Sequence, residues 1–181
     1  MKTSSWFSKM LGTAMTLDNL ENVLVLQLKD LASAEDQLIQ ALPKMAEAAS
    51  TPELKSAFQT HLAETRQQKT RLERCFKLLG KQCETETCDA MQGLISEGEE
   101  VIGLEGDAEV KDAALIAAAQ RVEHYEIAGY GCARTYARML GDQEAARLLQ
   151  ETLDEEGATD KKLTELAERS INFGAEQAGQ T

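Results

Sequence analysis

Seven side chains of metal-ligating type, Glu35, Glu64, Glu123, Glu126, Glu156, Asp160 and His61, fall on or beside stripes that are otherwise apolar. Core-facing positions of a bundled helix recur in steps of four and three. One such series runs from Leu24 through Leu28, Leu31, Glu35, Leu38 and Leu42 to Met45, apolar everywhere except Glu35. A second runs from Leu54 and Phe58 through His61, Thr65 and Gln68 to Leu72 and Cys75, with Glu64 on the flank of its polar middle. A third, from Leu115 to Leu140, breaks at Glu126, and Glu123 lies one turn back on its flank. The fourth, from Ala146 to Ala167, breaks at Glu156 and Asp160.

Four interruptions at matching heights would meet inside a bundle. Glu35 and Glu64 are equally far from a turn at Ala49-Ser50. Glu126 and Glu155 are equally far from one at Gly141, with Glu156 one residue beyond. Burying several ionised carboxylates together is very unfavourable, so either some are protonated or cations compensate them. A pair of metal ions is the natural compensation, because carboxylates bridge two cations. Two plainer readings stand beside it. A single buried polar residue can fix helix register, and an arginine such as Arg71 or Arg121 could reach in to neutralise an acid.

His61, on its stripe and one turn from Glu64, could supply a nitrogen ligand or a hydrogen bond to one. His124, two residues before Glu126, sits about 200° around the helix and reads as a surface or packing histidine. Tyr130 follows Glu126 by one turn and could hydrogen-bond a ligand or simply pack.

Long helices must carry these stripes, and their ends are legible. Asp18-Asn19-Leu20-Glu21 has a capping-box pattern with Asp18 as the expected N-cap. The first helix is expected to run to Ala49, and Thr51-Pro52 then opens a second that stops at Gly80. Asp107 opens a third, ending at Gly141, and Asp142 caps a fourth that runs to about Ile171. Residues 81–107 form a connection long enough to travel the length of a bundle. It carries an amphipathic piece around Met91, Leu94, Ile95, Val101 and Ile102. The expected fold is all-α: a ferritin-like four-helix bundle with one long crossover carrying a short extra helix. Residues 1–16 read as an N-terminal arm, 17–172 as the bundle and 173–181 as a tail.

Composition agrees. Ala, Leu, Glu, Gln and Lys/Arg dominate, whereas there are only four Phe, three Tyr, one Trp and two Pro. With 31 acidic against 19 basic residues and a net charge of −12, the chain is unsuited to nucleic acid or an anionic membrane surface and compatible with cations. No stretch is long and apolar enough to span a bilayer, and no signal peptide is read, so a soluble, cytoplasmic protein with reduced thiols is expected. Of the four cysteines, Cys75 and Cys132 fall among apolar positions and read as packing residues.

The segments Asp112–Gln120, Val122–Tyr130, His61–Thr65, and Leu153–Glu156 with Thr159-Asp160 resemble the YciE/YciF family of bacterial stress-induced proteins over nearly all of residues 17–172. The resemblance implies a ferritin-like helical bundle that forms a homodimer, with a dinuclear metal centre by similarity to rubrerythrins and other di-iron carboxylate proteins. The usual di-iron pattern has a Glu on each of two helices and Glu-x-x-His on each of the other two. Here the second helix has the reverse order, His61-x-x-Glu64, and the fourth has Glu156-x-x-x-Asp160 with no histidine. Such a carboxylate-rich set favours hard metals, iron or manganese. The leading expectation is two metal ions per chain with oxygen or peroxide redox chemistry on an unnamed small-molecule substrate. The rival is a non-catalytic structural or interaction dimer with an empty or vestigial site.

Overall fold

The computed structural model describes residues 16–178, and no strand occurs among them. The arm expected at the N-terminus lies outside the described residues apart from Thr16, as do the last three residues of the expected tail. Four long helices build the bundle: α1 (Leu20–Ala48), α2 (Pro52–Leu78), α4 (Ala108–Met139) and α5 (Gln143–Leu166). The shorter α3 (Asp89–Gly103) lies on the crossover and packs against α1 and α4. After α5 a π turn, Ala167–Ile171, leads into α6 (Asn172–Ala178), so the chain stays helical past Ile171, where the sequence reading ended the fourth helix.

The helix boundaries follow the sequence signals closely. α1 is capped by Asn19, not Asp18: the Asn19 side chain accepts a hydrogen bond from Asn22 N at 2.8 Å. α1 also passes through Pro43, which leaves the Ile39 carbonyl without its main-chain donor, yet the buried track Leu38, Leu42, Met45 holds the helix together. Gly80 and Gly141 take positive φ, 65° and 86°, and close α2 and α4 through Lys81 N to Phe76 O (2.9 Å) and Asp142 N to Ala137 O (3.0 Å).

Thr51, expected to cap α2, makes no side-chain cap bond. The fully buried Asp112 of α4 serves the α1–α2 turn instead. Its carboxylate accepts from Ser50 N, Ser50 Oγ and Thr51 N, each at 2.8 Å. This contact sets the start of α4 beside the end of α1, which makes α1 and α4 antiparallel and requires the crossover to run the bundle's length. Hydrogen bonds to a charged group contribute roughly 1.5–3 kcal/mol each, and their loss here strands two backbone donors. Asp112→Ala should therefore destabilise the fold by about 3 kcal/mol, with Asp112→Asn recovering part. Urea unfolding of the three proteins measures it, and a loss within experimental error would remove Asp112 from this role.

The core is two apolar clusters with a polar belt between them. Leu42, Ala49, Leu54, Phe58, Leu115 and Leu163 belong to the cluster at the α1–α2 turn. Leu24, Leu28, Leu72, Phe76, Ala137 and Leu149 belong to the cluster at the α4–α5 turn. Glu35, His61, Thr65, Gln68, Glu123, Glu126, Thr152 and Glu156 are all buried in the middle.

Candidate metal centre

Each bundle helix delivers to the belt from near its midpoint: Glu35 from α1, His61 from α2, Glu123 and Glu126 from α4, and Glu156 from α5. Glu123 and Glu126 are three residues apart and so share one helical face. Gly129, a turn further on, lets α1 come close, since a Cβ there would lie 2.8 Å from Leu31 Cδ2. His61, Glu123, Glu126 and Glu156 each offer a ligand atom within 4.8 Å of all the others, and all four are buried. His61 Nε2 lies 3.4 Å from Glu123 Oε1 and 3.9 Å from Glu156 Oε2, without hydrogen-bond geometry. Its Nδ1 faces the opposite way, 3.4 Å from Thr159 Oγ1 and 3.7 Å from Glu64 Oε2. Glu35, equally buried, accepts a short hydrogen bond from the Tyr130 hydroxyl on Oε1.

The electrostatics are those of acids crowded in a dry space. Burial raises the Glu35 carboxyl to about 8, against the lowering effects of Tyr130 and His61. Burial also lifts Glu123, and lifts Glu126 and Glu156 well above the ordinary carboxylate value, with the neighbouring carboxylates adding to the rise. Burial alone would lower the His61 imidazole, but Glu123, Glu64 and Glu35 outweigh it and the net shift is upward. Neither candidate arginine compensates the belt. Arg71 turns to Glu155 in a two-pronged pair of 2.6 Å contacts, and Arg121 lies at the surface, 3.8 Å from Glu97.

Buried groups normally find partners. Here Glu35 Oε2, His61 Nε2, Glu123 Oε2 and both oxygens of Glu126 and of Glu156 have none. These orphaned atoms converge from four helices and are oxygen-rich with one imidazole, which is the donor chemistry of a hard or borderline divalent cation. The residues present therefore fit a metal ion.

The seven sequence-designated residues divide into two groups. Glu35, His61, Glu123, Glu126 and Glu156 meet inside the belt. Glu64 and Asp160 lie at its rim, with side chains 35% and 23% exposed. Glu64 stands behind His61. Asp160 accepts from Gln120 Nε2 at 3.0 Å and pairs with the exposed His124 at 3.3 Å. Tyr130 is a hydrogen-bond donor to a belt carboxylate. Thr152 and Asp112, both fully buried, were not singled out in the sequence as buried polar residues. Cys75 is buried as expected, but Cys132 is exposed: it sits on the outer side of α4, where the apolar neighbours of its sequence window do not follow.

Comparison with known proteins agrees with this architecture. Residues 19–176 match a family model described as "Domain of unknown function (DUF892)". Protein YciF of Escherichia coli (strain K12) is 48% identical over 163 residues, covering 90% of this chain and 98% of that protein. The crystal structure of that E. coli stress protein superposes with a TM-score of 0.83, covering 86% of this chain and 99% of that one. YcfI of Rhodopseudomonas palustris, provisionally described as a structural protein, is 40% identical with a TM-score of 0.80 over 86% of this chain and 98% of that one. A protein of Xanthomonas campestris pv. campestris is 26% identical with a TM-score of 0.68 over 90% and 99% of the two chains.

Proposed function

We propose that this chain, which belongs to the DUF892 family, is a stress-response protein whose bundle core binds a pair of metal ions, iron or in its place manganese. The carrying observation is the set of buried, unpartnered ligand atoms from Glu35, His61, Glu123, Glu126 and Glu156. Glu126 and Glu156 each have both oxygens free and are suited to bridge two cations. Glu35 is oriented by the Tyr130 hydroxyl, and His61 by Thr159 and Glu64 at Nδ1, which leaves Nε2 to face the carboxylates. When bound, such metals supply one-electron steps toward dioxygen or peroxide. The two apolar clusters keep bulk water from the belt, and the acids that release protons on loading become its ligands.

Elemental analysis of protein prepared without a histidine tag, loaded anaerobically with Fe(II) or with Mn(II) and dialysed, should find about two ions per chain. Retention of neither metal would sink the reading.

A second reading is a non-catalytic structural protein. Two observations favour it: only one histidine reaches the belt, and YcfI carries a structural description. Under that reading the same dialysis leaves the protein metal-free, its melting temperature indifferent to chelator.

A further inference from the structure

The metal centre is approached from two sides, one that offers hydrogen-bonding groups and one that offers almost none. Between α2 and α5 lies an open groove of mixed lining, in which Glu53, Ser56, Thr60, Glu64, Thr159 and Lys162 stand among apolar side chains such as Phe58 and Leu163. Glu64 and Thr159 are the partners of His61 Nδ1, so this groove leads to the imidazole and offers hydrogen-bonding groups to cations, water and polar oxidants along the way. On the other side, between α1, α3 and α4, lies a small apolar cavity. About 40 Å³ of it is open to the centre of a water-sized sphere. Its walls include Leu38, Met45, Leu94, Gly98, Ala118 and Val122; the exposed Lys44–Glu99 ion pair also borders it, and Glu123, one of the belt carboxylates, is among its lining residues. Glu123 Oε2 is buried with no hydrogen-bond partner.

We infer that this cavity is the binding site for a small apolar gas, dioxygen, beside Glu123; the inference rests on the metal-binding reading and selects dioxygen over hydrogen peroxide as its oxidant. The volume exceeds what one water needs, but its exposed lining is almost entirely apolar, and water requires polar partners to stay. Apolar cavities of engineered proteins stay dry and take up xenon. Dioxygen has no hydrogen to donate and is accommodated by dispersion contacts alone. Hydrogen peroxide, with two O–H donors, would be stripped of its hydrogen bonds here and is directed to the α2–α5 groove, where Thr60, Glu64 and Thr159 can satisfy them. The roof of the cavity is α3, the element that the crossover adds to the bundle. A Cβ added at Gly98 on α3 would lie 3.8 Å from Met45 Sδ and 4.0 Å from Ala118 Cβ.

Two variants test the site. Ala118→Leu plugs the cavity. Gly98→Ala narrows it and should fold without difficulty, because its new Cβ meets only ordinary van der Waals contacts. The first readout needs no metal: crystals of metal-free protein are pressurised with xenon. Density is expected in the wild-type cavity, less in Gly98→Ala and none in Ala118→Leu. The second compares oxidation of bound Fe(II) by dioxygen and by hydrogen peroxide in stopped flow. With dioxygen, two ferrous ions lose one electron each and dioxygen gains both with two protons, leaving hydrogen peroxide. Plugging is expected to slow this reaction by at least about tenfold while the peroxide reaction keeps its wild-type rate. Xenon absent from the wild-type cavity overturns the proposal. So does dioxygen oxidation at wild-type rate in an Ala118→Leu protein whose crystals exclude xenon. Failure of the wild type to retain iron overturns the metal reading, and with it dioxygen's role, even when xenon occupies the cavity.

Discussion

Glu126→Ala is expected to abolish the gain in melting temperature that metal gives the wild type, while the variant in chelator melts close to, or above, the chelated wild type. Both oxygens of Glu126 are buried and unpartnered, and its carboxyl is pushed up by burial first and then by Glu35 and Glu123. Removing one member of a repelling set relieves the others. The opposing effect is the cavity left behind, worth a few kcal/mol at most. Glu126→Gln separates the two, because it keeps the volume and removes the charge. A ligand held only by the native state at 100–1,000 times its dissociation constant adds about 3–4 kcal/mol, or about 5–15 °C for a domain of this size. Melting curves of wild type and both variants, with chelator and with excess Mn(II), decide the matter. An equal gain in all three would show that Glu126 is not a ligand.

Metal-free protein should lose stability as pH rises, on the order of several kcal/mol and about 10 °C between about pH 5 and about pH 8.5. Glu35 titrates near 8 in the fold against an ordinary carboxyl value of 4.5, so the folded state holds a proton that the unfolded chain has already released. Stability of that origin is complete below 4.5 and is lost as pH climbs through the folded value. Glu123, Glu126 and Glu156 are raised too, and act in the same sense. So does His61, raised above 6.5, whose contribution is lost as pH rises through its folded value. Metal binding runs the other way, since ligands must shed protons to bind. The chelated and loaded proteins therefore diverge with rising pH. A flat chelated profile across this range would mean that the acids do not share a dry space.

Why some of this was legible is clear from particular residues. Glu35, His61, Glu126 and Glu156 announce themselves because each breaks an apolar series on its own helix. Glu123 was visible only as a flanking residue, yet it is as enclosed as the others, since a helical face wide enough to meet two neighbours takes in both i and i+3. The step choice of four or three is where the reading drifts. On α5 the buried track goes from Leu149 to Thr152 to Glu156 and leaves Leu153 partly buried, and on α4 it goes from Glu126 through Tyr130 and Ala133 to Ala137 and leaves Tyr136 partly buried. Glu64 and Asp160 show the converse. Their spacing suits the stripes, but their side chains reach the rim and find His61, Gln120 and His124 there. Asp112 was beyond sequence reasoning, because its partners Ser50 and Thr51 are 62 and 61 residues away and nothing local marks it.

The division of the core has a kinetic meaning. Each apolar cluster holds the tip of one hairpin: α1–α2 at one end, through Ala49 and Leu54, and α4–α5 at the other, through Ala137 and Ala145. Contacts at those tips are local in sequence, so each hairpin can zip from its own turn on the microsecond scale of elementary helix events. The carboxylates are split between the two hairpins, with Glu35 on one and Glu123, Glu126 and Glu156 on the other. Glu123, Glu126 and Glu156 already face one another when α4 packs on α5, and Glu35 and His61 join them when the hairpins dock. The repulsion among those three therefore weighs on the α4–α5 hairpin, while the burial of the whole belt, with Glu35 added, weighs on the docking step. A proton or a divalent cation that arrives as the belt closes accelerates the joining of the two halves. The same centre that can hold metal in the finished bundle thus sets the pace at which the bundle is finished.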